Sequence, residues 1–132
     1  MKKRIFVIDD EPDFTTLLRL SLETQGYYHV GEENEASKAL PSARMFDPDL
    51  IVLDIMMPDA DGSELASHIR RDPVLCNVPI LFMTALVSDN EAPRGVCNSG
   101  GHTFLPKNTP LDMLIEHIEE KLAESARFAV AT

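Results

Sequence analysis

Two stretches of this chain, Leu50–Asp54 (LIVLD) and residues 79–84 (PILFMT), are apolar at nearly every position and do not alternate with polar residues. A strand with one wet face alternates. An unbroken apolar run belongs to a strand buried on both faces, as in parallel sheets flanked by helices. The rest of the chain supplies those helices. Residues 4–9 (RIFVID) form a first strand, and Pro12 is suited to the first turn of a helix on which Phe14, Leu17, Leu18 and Leu22 recur until Gly26. Residues 28–32 form a weaker second strand. Asn34 is placed to cap a helix over 35–45, which Pro41 should kink or shorten.

After the third strand, Asp61-Gly62-Ser63 opens a helix carrying Leu65, Ala66 and Ile69 that ends near Asp72-Pro73. Residues 89–100 make a poor fourth helix, interrupted by Pro93 and Gly95. Residues 102–106 are a short fifth strand. Thr109-Pro110-Leu111-Asp112 then starts a last helix, with Thr109 as its N-cap and an apolar stripe of Leu111, Leu114, Ile115, Ile118 and Leu122. Five strands alternating with about five helices give right-handed βαβ units: an α/β, doubly wound, three-layer (βα)5 sandwich around a five-stranded parallel sheet. The domain is expected over residues 1–125, with 126–132 a short C-terminal tail. No DNA-binding or enzymatic domain is expected within the residues after the last helix.

A length of 132 residues suits one domain. Twelve Lys and Arg against 22 Asp and Glu, a formal charge of −10, argue against direct nucleic-acid or anionic-membrane binding. Cys76 and Cys97 have neither a disulfide framework nor zinc-site companions. No signal peptide or membrane-length run is present, so a cytoplasmic location is expected. His29, His68, His102 and His117 are scattered and suggest no catalysis.

In a parallel α/β sheet, ligands bind beyond the carboxyl ends of the strands. There stand Asp9 and Asp10 where strand one ends, with Glu11 next, Asp54 ending strand three, Thr84 ending strand four and Lys107 after strand five. Each alone is weak, since an acid after a strand commonly caps a helix and a lone Lys is usually solvated. The conjunction is what counts. The three Asp carboxylates and the ammonium sum formally to −2, and such like charges raise one another's pKa or push the site apart. A hard divalent cation resolves this; Mg2+ favours one or two carboxylates with waters and phosphate oxygens. That arrangement suits phosphoryl transfer, with a carboxylate as nucleophile.

Four segments in order, VIDDEP, LIVLDIMMPDADG, PILFMTA and FLPK, resemble the receiver domain of two-component response regulators, and the chain is similar to the single-domain chemotaxis regulator. The resemblance runs from about residue 3 to 122 and includes the thirty-residue separation of Asp54 and Thr84. It implies a flavodoxin-like strand order 2-1-3-4-5. It implies Asp54 as phosphoacceptor, Asp10 as a direct Mg2+ ligand, Asp9 acting through water and the Met56 main-chain carbonyl as a further ligand. Thr84 would bond a phosphoryl oxygen, and Lys107 would pair with Asp54 before phosphorylation and with the phosphoryl group afterwards. Phe104 falls where the family keeps an aromatic switch residue, although taken alone it reads equally as static core. Pro58 and Gly62 would shape the loop that turns the Met56 carbonyl to the metal.

The implied partners are a sensor histidine kinase or phosphotransfer protein and an output partner reached through the surface of the fourth helix, fifth strand and fifth helix; a homodimer formed on phosphorylation is compatible. The chain would act alone, relay phosphate onward or belong to a larger regulator. It would be no enzyme beyond catalysing its own phosphorylation and a slow dephosphorylation. The family positions two residues after the phosphoacceptor and two after the Thr are here Met56 and Leu86, apolar side chains that cannot orient an attacking water. Two other classes compete. An aspartate-nucleophile phosphatase of the haloacid-dehalogenase type typically has a second Asp two residues after the first, where this chain has Met56. A degenerate receiver-like binding module usually lacks the Asp, Thr or Lys. This chain departs from the family pattern at Lys107-Asn108, where Lys-Pro with a cis bond is usual. A cis bond to a non-proline costs about 2.5–4 kcal/mol, so a trans bond is expected. Gly100-Gly101 and the Pro93/Gly95 interruption predict a loosely held fourth helix.

Overall fold

Successive side chains of a strand leave on opposite faces, and here both faces are covered. The computed structural model describes residues 2–57, 60–85, 97–99 and 102–131. In order these form β1 (Lys3–Ile8), α1 (Pro12–Thr24), β2 (Tyr28–Glu33), a 3-10 turn (Ala36–Lys38), α2 (Ala39–Phe46), β3 (Leu50–Asp54), β4 (Met56–Met57), β5 (Ala60–Asp61), α3 (Gly62–Arg71), β6 (Ile80–Thr84), β7 (Cys97–Ser99), β8 (His102–Pro106) and α4 (Leu111–Ala131). Five strands run parallel in the order β2-β1-β3-β6-β8, the expected doubly wound arrangement, and β7 adds an antiparallel edge.

One apolar layer joins Ile5, Val7, Val52, Leu81 and Met83 to Leu18 and Leu22 of α1 and Leu114 and Ile118 of α4. The other joins Phe6, Ile8, Ile51, Leu53 and Phe82 to Ala39 and Ala43 of α2 and Leu65 and Ile69 of α3. Every residue of β3 and β6 is buried, which accounts for their unbroken apolar runs.

Several local expectations need correction. Residues 97–99, expected in a poor helix, form β7, in register Cys97↔Phe104 and Ser99↔His102. β7 covers the side of β8 opposite β6, where a bare strand edge would leave backbone groups without partners. The remainder of the expected fourth helix, with Pro93 and Gly95, lies outside the described residues. Asn34 does not cap a helix: its Nδ2 donates to the Asp9 carbonyl (2.8 Å) and to Thr15 Oγ1 (3.0 Å). Pro41 lies in the first turn of α2, which begins only after the 3-10 turn. The last helix starts within a residue of expectation, but the Thr109 hydroxyl donates back to the Pro106 carbonyl (2.6 Å), and the first helical bond runs from Leu114 N to the Pro110 carbonyl (2.9 Å). That helix continues to Ala131, through most of the segment expected to be a tail.

Asp72 closes α3 with more than a turn. Its buried carboxylate accepts from Val74 N and Leu75 N, each at 3.0 Å, and from Arg44 Nε of α2 at 2.7 Å. The Arg44 guanidinium holds its carboxyl below the usual range.

Candidate functional site

The carboxyl edge of the sheet is where three separate β-to-α connections meet. β1 ends one residue before Asp9, and Glu11 and Pro12 turn the chain at once into α1. The Asp9 side chain folds back on that turn, its Oδ1 accepting from Glu11 N at 3.0 Å. Asp54 is the last residue of β3, and its Oδ1 accepts from Met56 N at 3.1 Å. Asp9 and Asp54 are almost wholly buried, 1% and 2% exposed, whereas Asp10 is half-buried. Ligand oxygens from Asp9, Asp10 and Asp54 lie within 4.8 Å of one another.

Thr84 is buried at the end of β6, and its carbonyl accepts from Lys107 N at 3.0 Å, tying the β8–α4 connection to the neighbouring strand. The Lys107 ammonium reaches into the acidic group. It lies 2.5 Å from Glu11 Oε1, 2.8 Å from Asp9 Oδ2 and 3.4 Å from Asp54 Oδ2. The expected pairing with Asp54 is thus present, but as the longest of the three. The ammonium also lies over the Phe14 ring, 4.9 Å from its centroid. The Lys107–Asn108 bond is trans, as are all peptide bonds among the described residues.

The electrostatics follow from burial. Desolvation pushes the Asp54 carboxyl up to about 6, with the Met56 amide and Lys107 opposing and the Asp9 charge assisting. Burial likewise raises Asp9 against the pull of Lys107. Burial alone would lower Lys107, but its contacts with Asp9 and Glu11 outweigh that and raise it. Asp9 Oδ2 and Asp54 Oδ2 are buried, and among the described residues their polar partner is the shared Lys107 ammonium, which is split between them and Glu11. Such atoms are costly unless a ligand satisfies them. Two buried carboxylates served by one shared ammonium, beside a third, more accessible carboxylate, fit a hard oxygen-seeking cation of the Mg2+ type.

Behind the site, Gly62 N donates to the Ile55 carbonyl at 3.2 Å, and β4 pairs with β5 in a short antiparallel ribbon, Met56↔Asp61. The Asp61 carboxylate caps α3 by accepting from Ser63 N at 2.8 Å. Phe104 lies on β8 opposite Phe82 and stacks on it, with ring centroids 4.8 Å apart, so in this conformation it packs against the second apolar layer. Pro58 and Leu86 lie outside the described residues.

A family model described as the response regulator receiver domain matches residues 5–119. The chain belongs to that family. The receiver domain family is a signalling switch and not a classical enzyme; receivers bind Mg2+ at an acidic pocket, and response regulators act with histidine kinases and output domains. This receiver is 31% identical over 128 residues to the DNA-binding dual master transcriptional regulator RpaA of Synechocystis, across 97% of this chain and 52% of RpaA. It is 36% identical over 112 residues to response regulator PleD of Caulobacter vibrioides, across 85% of this chain and 24% of PleD. The chain therefore spans about half the length of one relative and a quarter of the other. Among solved structures, the CheY-like receiver domain protein from Methanospirillum hungatei superposes with a TM-score of 0.78 at 25% identity, covering 96% of this chain and 98% of that one. No helix among the described residues is long and apolar enough to cross a membrane.

Three features of the site were not foreseen in the sequence: the Glu11–Lys107 pair, the Asn34 bond to the Asp9 carbonyl, and Phe14 beneath the ammonium. Glu11 had a signal, being a third acid directly after Asp9-Asp10. Asn34 had none that distinguishes it from an ordinary helix cap.

Proposed function

We propose that Asp54 accepts a phosphoryl group from the phosphohistidine of a sensor kinase or phosphotransfer protein, and that the change in charge is read by an output partner. The observation carrying this is the convergence of Asp9, Asp10 and Asp54, two of them buried, on one edge with the Lys107 ammonium. Asp10 and Asp54 would hold Mg2+ directly, Asp9 through water, and the Met56 main-chain carbonyl would complete the protein's share. When bound, Mg2+ supplies charge neutralisation and alignment for the incoming phosphoryl oxygens. An Asp54 oxygen forms the new bond to phosphorus as the bond from phosphorus to the donor breaks. The Thr84 hydroxyl donates to a phosphoryl oxygen, and the Lys107 ammonium moves from the carboxylates toward the phosphoryl group. Phe104 would then change its packing and bias the outer surface formed with β8 and α4.

Mass spectrometry after incubation with acetyl phosphate and Mg2+ tests this. One phosphoryl mass is expected on the wild-type chain, at residue 54. A chain that gains nothing there is not a phosphoacceptor.

The lifetime of the phosphoryl group follows from the side chain two residues on. Met56 is 56% exposed beside Asp54 and cannot orient an attacking water by hydrogen bonding. Slow self-dephosphorylation is expected, and Met56→Asn should speed it by roughly tenfold. A decay rate unchanged in that variant, followed by loss of the phosphorylated mass over time, would exclude the explanation.

A further inference from the structure

We infer that Glu11 is a positioning residue that holds the Lys107 ammonium on the β1–α1 side of the pocket and so restrains its movement to the phosphoryl group. The inference rests on Asp54 being the phosphoacceptor.

Lys107 is a single cation shared among three acids. Its Nζ lies 2.5 Å from Glu11 Oε1 but 3.4 Å from Asp54 Oδ2, so the acid that takes no part in the proposed chemistry holds it closest. Glu11 belongs to the same turn as Asp9, whose Oδ1 fixes the Glu11 amide. That turn is itself anchored, because Asn34 Nδ2 donates to the Asp9 carbonyl and to Thr15 Oγ1. Thr15 Oγ1 in turn donates to Glu32 Oε1 at 2.7 Å, and Glu32 pairs with Arg19. The Glu11 backbone is therefore held firmly, while its side chain is largely exposed and depends on the ammonium for its polar contact. An oxyanion on Asp54 must win Lys107 from this competitor. Weakening the competitor should make the transferred position easier to reach, whereas the buried Asp9 contact remains.

Beryllofluoride, a phosphoryl mimic, reads the competition at saturating Mg2+. Glu11→Gln keeps the side chain's shape and removes its charge. It should bind beryllofluoride about two- to fivefold more tightly, the scale of a largely exposed ion pair. In a Lys107→Met background the same substitution should have no effect. Equal affinity of Glu11→Gln and wild type overturns the inference, as does equal tightening in the Lys107→Met background, which would mean general charge repulsion from Glu11. If Lys107→Met cannot bind the mimic, the Lys107 Nζ NMR signal decides. It should shift in unliganded Glu11→Gln, and a signal identical to wild type overturns the inference. Failure of the wild-type chain itself to bind beryllofluoride would instead count against the phosphoacceptor assignment.

Discussion

Asp54→Asn should abolish phosphorylation by acetyl phosphate while making the metal-free fold more stable at neutral pH. The two outcomes have one cause. Asp54 is 2% exposed, and burial lifts its carboxyl from 3.8 to about 6, so ionising it at pH 7 penalises the folded state. At 1.36 kcal/mol per pH unit, the penalty is at most about 3 kcal/mol. Asn keeps the shape and an oxygen for the Met56 amide, which now donates to Asp54 Oδ1, but carries no charge. The sign with pH follows from the direction of the shift. A carboxyl raised on folding contributes stability at low pH and loses it as pH climbs through the folded value. The advantage of Asp54→Asn should therefore be full above about pH 6, shrink on acidification and vanish below about pH 4. Urea midpoints in EDTA across that range measure it. Mg2+ should reverse the order, because an ion bound only by the folded state stabilises it, and Asn would remove one of its proposed ligands. A variant less stable than wild type in EDTA at pH 7.5 would show that the buried charge is already compensated by Lys107.

The parts of this site that could be inferred from sequence are those fixed by strand periodicity. Asp9, Asp54, Thr84 and Lys107 follow or end apolar runs, so parallel topology alone brings them to one edge. Side-chain direction is another matter. Whether the Lys107 ammonium turns to Asp54 or to Glu11 depends on distances of 3.4 and 2.5 Å that no periodicity encodes. Asn34 shows the same limit, since its position before a helical segment suits a cap, yet the Asp9 carbonyl is its partner. β7 was missed because local propensity says nothing of the open edge of β8 with which it pairs. The Arg44–Asp72 pair joins α2 to the end of α3 through residues 28 apart in sequence, and Asp72 taken locally is only a helix stop.

Gly62→Ala should disable the site out of proportion to its cost in stability. A Cβ at Gly62 would lie 2.5 Å from Ile55 Cα and 2.6 Å from the Asp54 carbonyl oxygen, both backbone atoms at the end of a fully buried strand. Neither can rotate away, so the clash is relieved only by moving the start of α3 or the end of β3, and either movement displaces Asp54. Overpacking of this kind costs about 1–3 kcal/mol, offset in small part by the better helix propensity of Ala. A displacement approaching 1 Å at the reacting group costs about 100-fold in rate, so phosphorylation by acetyl phosphate should fall on that scale. Gly31 provides the contrast. An added Cβ there would meet the Phe46 ring at 2.7 Å and Phe6 Cδ1 at 2.9 Å, side-chain atoms away from the carboxyl edge of the sheet. Gly31→Ala should lower the urea midpoint while leaving the phosphorylation rate close to wild type. Equal losses of rate in the two folded variants would mean that the reaction senses global stability rather than the placement of Asp54 by its close-packed glycine.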